Sequence, residues 1–346
     1  MKATIREIAE RVGVSSASVS LVLNHRDCRI SEETRQKIFD TAREIGYVRK
    51  KDRIKSKSRY SGRLIALIYP RLRNELIEEC MQGIEEYASL YDYHVFQLYC
   101  SETTQKCIEQ IELAVFLGAD GLILIPPNDM NTGDNHVLLG EALKHSGIQY
   151  LLLDKAVYKV FCDFITADNK LGVGMAMDHL LSYGHRRIGI LAGKKEIYNT
   201  RKRVEGYRDS LALNGLEYEE ELVCYGEYSR QSGYEGAGYL LSKGVTGIVS
   251  CNGEVSLGVY EYARENRKVI GEDISIVSFG NLREAGWVNP MLTSIIQPGE
   301  QMGRKAVEVL ISRIQHEEIG GIHTNYFTPT LRQGESVKRM ENAYQL

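Results

Sequence analysis

Thr4-Ile5-Arg6-Glu7-Ile8-Ala9-Glu10-Arg11-Val12-Gly13-Val14-Ser15-Ser16-Ala17-Ser18-Val19-Ser20-Leu21-Val22-Leu23-Asn24 is the stretch from which the rest of this 346-residue chain can be read. Thr4 and Glu7 stand as N-cap and N3 of a capping box, each side chain satisfying a backbone donor at the start of a helix. Ile5, Ile8, Ala9 and Val12 recur at helical spacing on one face. Gly13 ends that helix, where a left-handed backbone is least strained without a Cβ. Val14 tucks the turn into the core, and Ser15 caps a second helix with Val19, Val22 and Leu23 on its apolar side. Ser31-Glu32-Glu33-Thr34 opens a third helix that carries Ile38, Phe39, Ala42 and Ile45 and closes at Gly46. Three short helices with a tight, Gly-containing turn between the first two form a DNA-reading module. A small helical bundle with no nucleic-acid role is the competing reading.

The distribution of charge favours DNA. Residues 1–63 hold 16 Lys and Arg against 8 Asp and Glu, whereas the remainder holds 27 against 38. A head of +8 on a body of −11 confines the electrostatic footprint for phosphate to one end. Seven cysteines are scattered without CxxC spacing, which implies reduced thiols and gives no metal site. The N-terminus is polar from Lys2 onward and no apolar run approaches the ~20 residues that cross a bilayer, so a cytoplasmic protein without membrane contact is expected.

From Arg63 onward short apolar runs alternate with helix-length segments. Leu64–Tyr69, His94–Tyr99, Gly121–Ile125 and Tyr150–Asp154 form one set; Arg187–Leu191, Gly247–Cys251 and Ile274–Phe279 form a second. Apolar runs without alternation indicate buried parallel strands and a doubly wound α/β architecture, and two sets indicate two lobes. In such sheets a ligand lies beyond the carboxyl ends of the strands, so a cleft between the lobes is expected. No GxGxxG or GxxxxGK[ST] follows a strand, and no nucleophile–base pair stands out. His185 precedes a strand, at the end away from the cleft, and reads as structural. A non-enzymatic protein without cofactor is expected.

The opening stretch, Ile30-Ser31-Glu32-Glu33-Thr34-Arg35 and Ile45-Gly46-Tyr47 resemble the headpiece of the LacI/GalR family of bacterial transcription regulators. Ala167-Asp168-Asn169, Gly184-His185-Arg186-Arg187-Ile188, Arg203-Val204-Glu205-Gly206-Tyr207 and Leu292-Thr293-Ser294-Ile295-Ile296-Gln297-Pro298 are similar to its effector domain, in the same order. The resemblance implies a helix-turn-helix headpiece (1–48), a basic linker (49–62) and a periplasmic-binding-protein-like core (63–346). With three crossings, near 164–166, 292–296 and 325, lobe 1 would hold about 63–164 and 296–324, and lobe 2 about 165–295 and 325–340. The helix from Gly299 to Gln315 would return to lobe 1, and Thr324 to Leu331 to lobe 2.

The function implied is a repressor acting as a homodimer on a near-palindromic double-stranded operator, bound to the nucleoid and controlled by a small molecule between the lobes. A sugar derivative or another polar metabolite is the expected effector. The alternative is a regulator controlled by a protein partner or constitutively bound, with a degenerate cleft. Ser16 and Ala17 occupy the positions with which the family chooses bases, while Ser15, Ser18, Ser20, Asn24 and His25 are expected at the DNA backbone, and Thr4 is a further candidate DNA contact. Leu21 stands where the family usually has Arg. In the linker, Arg49 and Lys50 replace Pro-Asn, and Lys51 and Arg53 extend a basic tether that would hold phosphates. Ile54 is its one bulky apolar residue, with Ser56 where the family places an intercalating Leu.

For the effector, the resemblance points to Asp168, Arg203 and Asn252, and the loop after the first strand adds Tyr69, Arg71 and Arg73 at the cleft rim. Gly280 stands where the family carries a carboxylate that accepts sugar hydroxyls, which makes an ordinary hexose less suited and a ligand of anionic character worth testing. Trp287, the one tryptophan, is read either as a ring that stacks on a ligand or as a side chain buried in the second lobe.

Overall fold

A computed structural model describes residues 4–23, 30–45, 47, 62–70, 75–280, 288–316 and 321–340. The chain divides into two compact units, Met1–Gly62 and Arg63–Leu346. Asn24, His25, Arg49, Lys50, Lys51, Arg53, Ile54, Ser56, Arg71, Arg73 and Trp287 lie outside the described residues.

In the first unit, helix α1 spans Ile5–Val12, α2 Ser16–Leu23 and α3 Glu32–Glu44. Thr4 caps α1 by accepting from the Glu7 amide at 3.2 Å. The return half of the expected capping box is replaced: the Glu7 carboxylate instead takes Arg11, one turn on, at 3.2 Å. Gly13 closes α1 at φ 78°, its N–H bonded to the Ala9 carbonyl. Ser15 Oγ accepts from the Ser18 amide at 3.0 Å and so starts α2. Ile8, Ala9, Val19, Val22, Leu23, Ile38 and Ala42 form one buried cluster with contributions from all three helices. A side chain such as Ile8, fully buried, contributes about 1.5–3 kcal/mol.

The second unit contains two six-stranded sheets. The first uses β1 (Leu64–Tyr69), β2 (His94–Tyr99), β3 (Gly121–Leu124), β4 (Gln149–Leu153), β5 (Asp163–Ala167) and β11 (Thr324–Phe327), in the order β11-β5-β4-β3-β1-β2. All its pairings are parallel, with Leu64 opposite His94 and Ile65 opposite Gly121. The second uses β6 (Ile188–Ala192), β7 (Val223–Tyr225), β8 (Gly247–Ser250), β9 (Ser275–Phe279), β10 (Thr293–Ile296) and β12 (Thr330–Arg332), in the order β12-β10-β9-β8-β6-β7. Here only β12 runs antiparallel to its neighbour. Helices cover the faces: α4 (Glu75–Leu90), α5 (Thr104–Leu117) and α6 (Asn135–Ser146) in the first lobe, and α7 (Asn169–Ser182), α8 (Tyr198–Leu213), α9 (Arg230–Ser242) and α10 (Gly253–Glu265) in the second. Helix α11 (Gly299–Ile314) follows β10 back to the first lobe and packs on α4.

The crossings fall slightly later than the sequence suggests. β5 stays in the first sheet to Ala167, and β11 joins that sheet, so only β12 of the last segment reaches the second lobe. The third crossing is therefore the short connection at 328–329. α4 and α11 meet closely because each has a glycine where they touch. A Cβ on Gly83 would stand 2.1 Å from the Glu300 carbonyl oxygen, and one on Gly303 would stand 2.1 Å from that of Cys80. Among the described residues no helix is long and apolar enough to cross a membrane.

Candidate functional site

Two surfaces carry the polar chemistry. The first is the start of α2, where the turn leaves Ser15, Ser16 and Ala17 exposed while Val19, Val22 and Leu23 hold the helix to the core. Small side chains at a helix N-terminus let the backbone approach a groove floor closely. Thr4, at the start of α1, is also exposed. Ser18, Ser20 and Leu21 are half-buried, and the Ser18 hydroxyl is joined to that of Ser15 at 2.9 Å.

The second is a cavity of about 420 Å³ between the two sheets of the core. It collects the carboxyl ends of the strands, as open α/β sheets require. Asn128 follows β3, Asp154 and Lys155 follow β4, Tyr228 and Arg230 follow β7, and Asn252 and Glu254 follow β8. Phe279 and Gly280 end β9, and Gln297 follows β10. Asn199 and Arg203 come from the first turns of α8, where spacing of four residues puts both on one helix face.

Arg203 is buried. Its Nε donates to Asn169 Oδ1 at 2.8 Å and its Nη1 to the Cys251 carbonyl at 2.5 Å. The guanidinium carbon stands 3.9 Å from the centre of the Phe279 ring, a cation–π contact that fixes the plane of the fork. Lys155 is also buried, donating to Asn128 Oδ1 at 2.9 Å, and desolvation holds its ammonium below the ordinary lysine range. Asn199 reaches across the cleft and donates from Nδ2 to Asp154 Oδ1 at 3.0 Å, which joins the lobes at the cavity wall. Its own Oδ1 is buried without a partner. Arg230 and Glu254 pair at 2.8 Å on the rim. The Cys251 thiol is pushed up to about 11 by burial, so it is a wall and not a nucleophile.

The cavity brings together Arg203, Asn252 and Gly280 from the residues singled out in the sequence. Asn252 also caps α10, accepting from the Glu254 amide at 2.8 Å. Gly280 has φ 110°, a backbone that L side chains rarely adopt, so its bare surface is built into the turn. Tyr69 is placed elsewhere: it is buried on the first sheet, its hydroxyl donating to Gln97 at 3.0 Å and its ring against Tyr99. Asp168 caps α7 by accepting from the Leu171 amide at 2.9 Å and borders a separate depression of about 180 Å³ with Tyr198, Lys202 and Tyr326. His185 is buried before β6, with Nε2 donating to the Lys338 carbonyl at 3.1 Å, which is a structural role. Among the described residues the six cysteines are free thiols and no cluster suited to a metal ion is found. Sequence reading passed over Asn128, Asp154, Lys155 and Asn199; the one available signal was that Asp154 ends an apolar strand at its carboxyl end.

Both units of the chain are similar to known proteins. Residues 4–50 match the family described as bacterial regulatory proteins, lacI family, and residues 177–337 match the periplasmic binding protein-like domain. The HTH-type transcriptional regulator MalR of Streptomyces coelicolor is 29% identical over 325 residues, covering 93% of this chain and 91% of the relative. A LacI family transcriptional regulator from Enterococcus faecium, solved with bound ribose, superposes with a TM-score of 0.69 at 25% identity, covering 80% of this chain and 100% of that one. The lac repressor dimer bound to operator and an anti-inducer shares the fold, with a TM-score of 0.70 at 21% identity over 98% of this chain and 100% of that one. With a lacI family helix-turn-helix domain followed by a core that carries the periplasmic binding protein-like domain, the chain is a DNA-binding transcription regulator of the LacI type.

Proposed function

We propose that the protein represses transcription as a homodimer on a near-palindromic operator, and that a small polar molecule in the interlobe cavity sets its operator affinity. The observation that carries the effector half is the buried Arg203, held in plane over Phe279 in a cavity with an unsatisfied Asn199 carbonyl. Polar groups of this kind are expensive to bury unless a ligand uses them. In this reading Ser16 and Ala17 meet base edges, while Thr4, Ser15, Ser18, Ser20, Asn24 and His25, with Arg49, Lys50, Lys51 and Arg53, meet phosphates. Leu21 meets a thymine methyl or packs against its own helix. Arg203 and Asn252 hold the effector, with Arg71 a candidate for the rim; Asp168 and Tyr69 stay outside its direct contacts. Pairing through the first lobe is supported by Leu90, Tyr91 and Tyr99, exposed where α4 ends and along the edge strand β2. Two headpieces related by a two-fold axis read half-sites about 34–36 Å apart, one helical turn of DNA.

Selection of operators from random duplex DNA by the purified protein tests the reading. Enrichment of one inverted repeat is expected. Enrichment of no sequence by the protein, with or without candidate effectors, would remove sequence-specific regulation.

A further inference from the structure

We infer that the interlobe cavity takes a polyhydroxylated anion of about monosaccharide size, a sugar acid or a sugar phosphate, with Arg203 holding the acidic group and Asn199 and Asp154 accepting hydroxyls. The inference rests on the reading of this cavity as the effector site and names the chemistry of its ligand.

Among the described residues that line the cavity, the charges do not cancel. Arg203 is buried, yet the partners of its guanidinium are an amide oxygen and a backbone carbonyl, both neutral. Lys155 is buried against another neutral amide, Asn128, and desolvation pulls its proton affinity down although the charges of Asp154 and Glu102 oppose this. Arg230 and Glu254 neutralise each other on the rim. Among the described residues, that leaves Asp154 as the one lining carboxylate outside an ion pair, against the buried Arg203 and Lys155. Gly280 offers no further carboxylate, and its φ of 110° disfavours any side chain there. A buried cation short of counter-charge carries a large desolvation penalty, which an arriving anion removes. The guanidinium, 3.9 Å from the centre of the Phe279 ring, is a planar fork of the kind that binds carboxylate or phosphate through paired hydrogen bonds.

A bare anion does not account for the other wall. The Asn199 amide is oriented by its bond to Asp154, because a carboxylate accepts and does not donate. Its Oδ1 is therefore an acceptor, and it is buried without a donor. Asp154 keeps acceptor capacity beside it. These acceptors call for hydroxyl donors on the same ligand, and about 420 Å³ leaves room for a sugar ring with its acidic substituent.

The test follows thermal unfolding of the full-length protein. Inorganic phosphate is first compared with chloride at equal ionic strength; then glucose is compared with glucuronate, galactose with galacturonate, and ribose with ribose 5-phosphate. Phosphate is expected to stabilise more than chloride, and the anionic member of a pair to bind about tenfold or more tightly than its neutral parent. A larger shift with the uronates assigns a carboxylate; a larger one with ribose 5-phosphate assigns a phosphate. Arg203→Gln, with folding checked by circular dichroism, is expected to abolish the preference and Arg203→Lys to keep part of it. The wild-type comparison stands even where Arg203→Gln does not fold. No phosphate-specific shift, or a neutral sugar binding as well as its acid, overturns the inference. Operator enrichment by the same preparation is read separately, so loss of the anion preference alone leaves the regulator standing.

Discussion

Asn199 and Arg203 project from adjacent turns of α8, but they make different demands on the protein. Asn199 supplies a bond between lobes, so Asn199→Ala removes the partner of the Asp154 carboxylate and leaves that group unpaired. A loss of about 1–3 kcal/mol in urea unfolding is expected, and no loss would show that water replaces the amide. His185 tests a different residue-level effect. Burial holds its pKa below the ordinary 6.5, although the bond to the Lys338 carbonyl opposes the shift. Between that depressed native value and 6.5 the unfolded chain binds the proton more readily than the folded one. Stability should therefore fall as pH drops through this window, and His185→Gln should flatten the fall. Urea midpoints measured from about pH 7.5 to 5 check it; an unchanged slope would assign the dependence to other groups. The sequence marked Arg203, Asn252 and Gly280, which sit in recognisable strings. It did not mark Asn199 or Lys155, because their role exists only where two distant loops converge.

Elements were more legible than residues. Strands buried on both faces need uninterrupted apolar side chains, so β1, β3, β4, β8 and β9 announce themselves as short hydrophobic runs. β7 does not, since Val223-Cys224-Tyr225 is only three residues long and forms an edge. The strands beside the crossings were the hardest to assign to a lobe: β5 runs into Asp168 without a glycine or proline, and after β11 only Pro329 marks where the sheet changes. The close approach of α4 to α11 was also hidden, as a glycine in a helix gives no sign of what packs against it. Its energetic weight is measurable. Gly303→Ala would drive a Cβ into the Cys80 carbonyl and force the helices apart. We expect a loss of about 1–3 kcal/mol or more in unfolding free energy, against a gain of the usual helix propensity if the helices did not touch.

At the scale of the whole molecule the two ends carry opposite charge, and this sets how DNA binding responds to salt. Replacing residues 49–59 with Gly and Ser should make the plot of log affinity against log salt shallower, by up to about 0.9 for each phosphate that the variant no longer neutralises. Filter or fluorescence titrations between about 50 and 200 mM salt, where phosphate binding dominates the response, are expected to show it; an unchanged slope would mean the linker touches no phosphate. If the cavity ligand alters operator affinity, operator must alter ligand affinity by the same factor, which two titrations on one preparation can compare. The triple crossing between the lobes has a consequence for synthesis. Five strands of the first sheet are complete at Ala167, but α11 begins only at Gly299 and β11 only at Thr324. A ribosome adding about 5–20 residues per second leaves that half-built lobe waiting on the order of ten seconds, with its α4 surface uncovered, while the second lobe is made inside the interruption. The lobe encoded first is thus the one finished late, and the nascent chain needs protection longest at the face where α11 will dock.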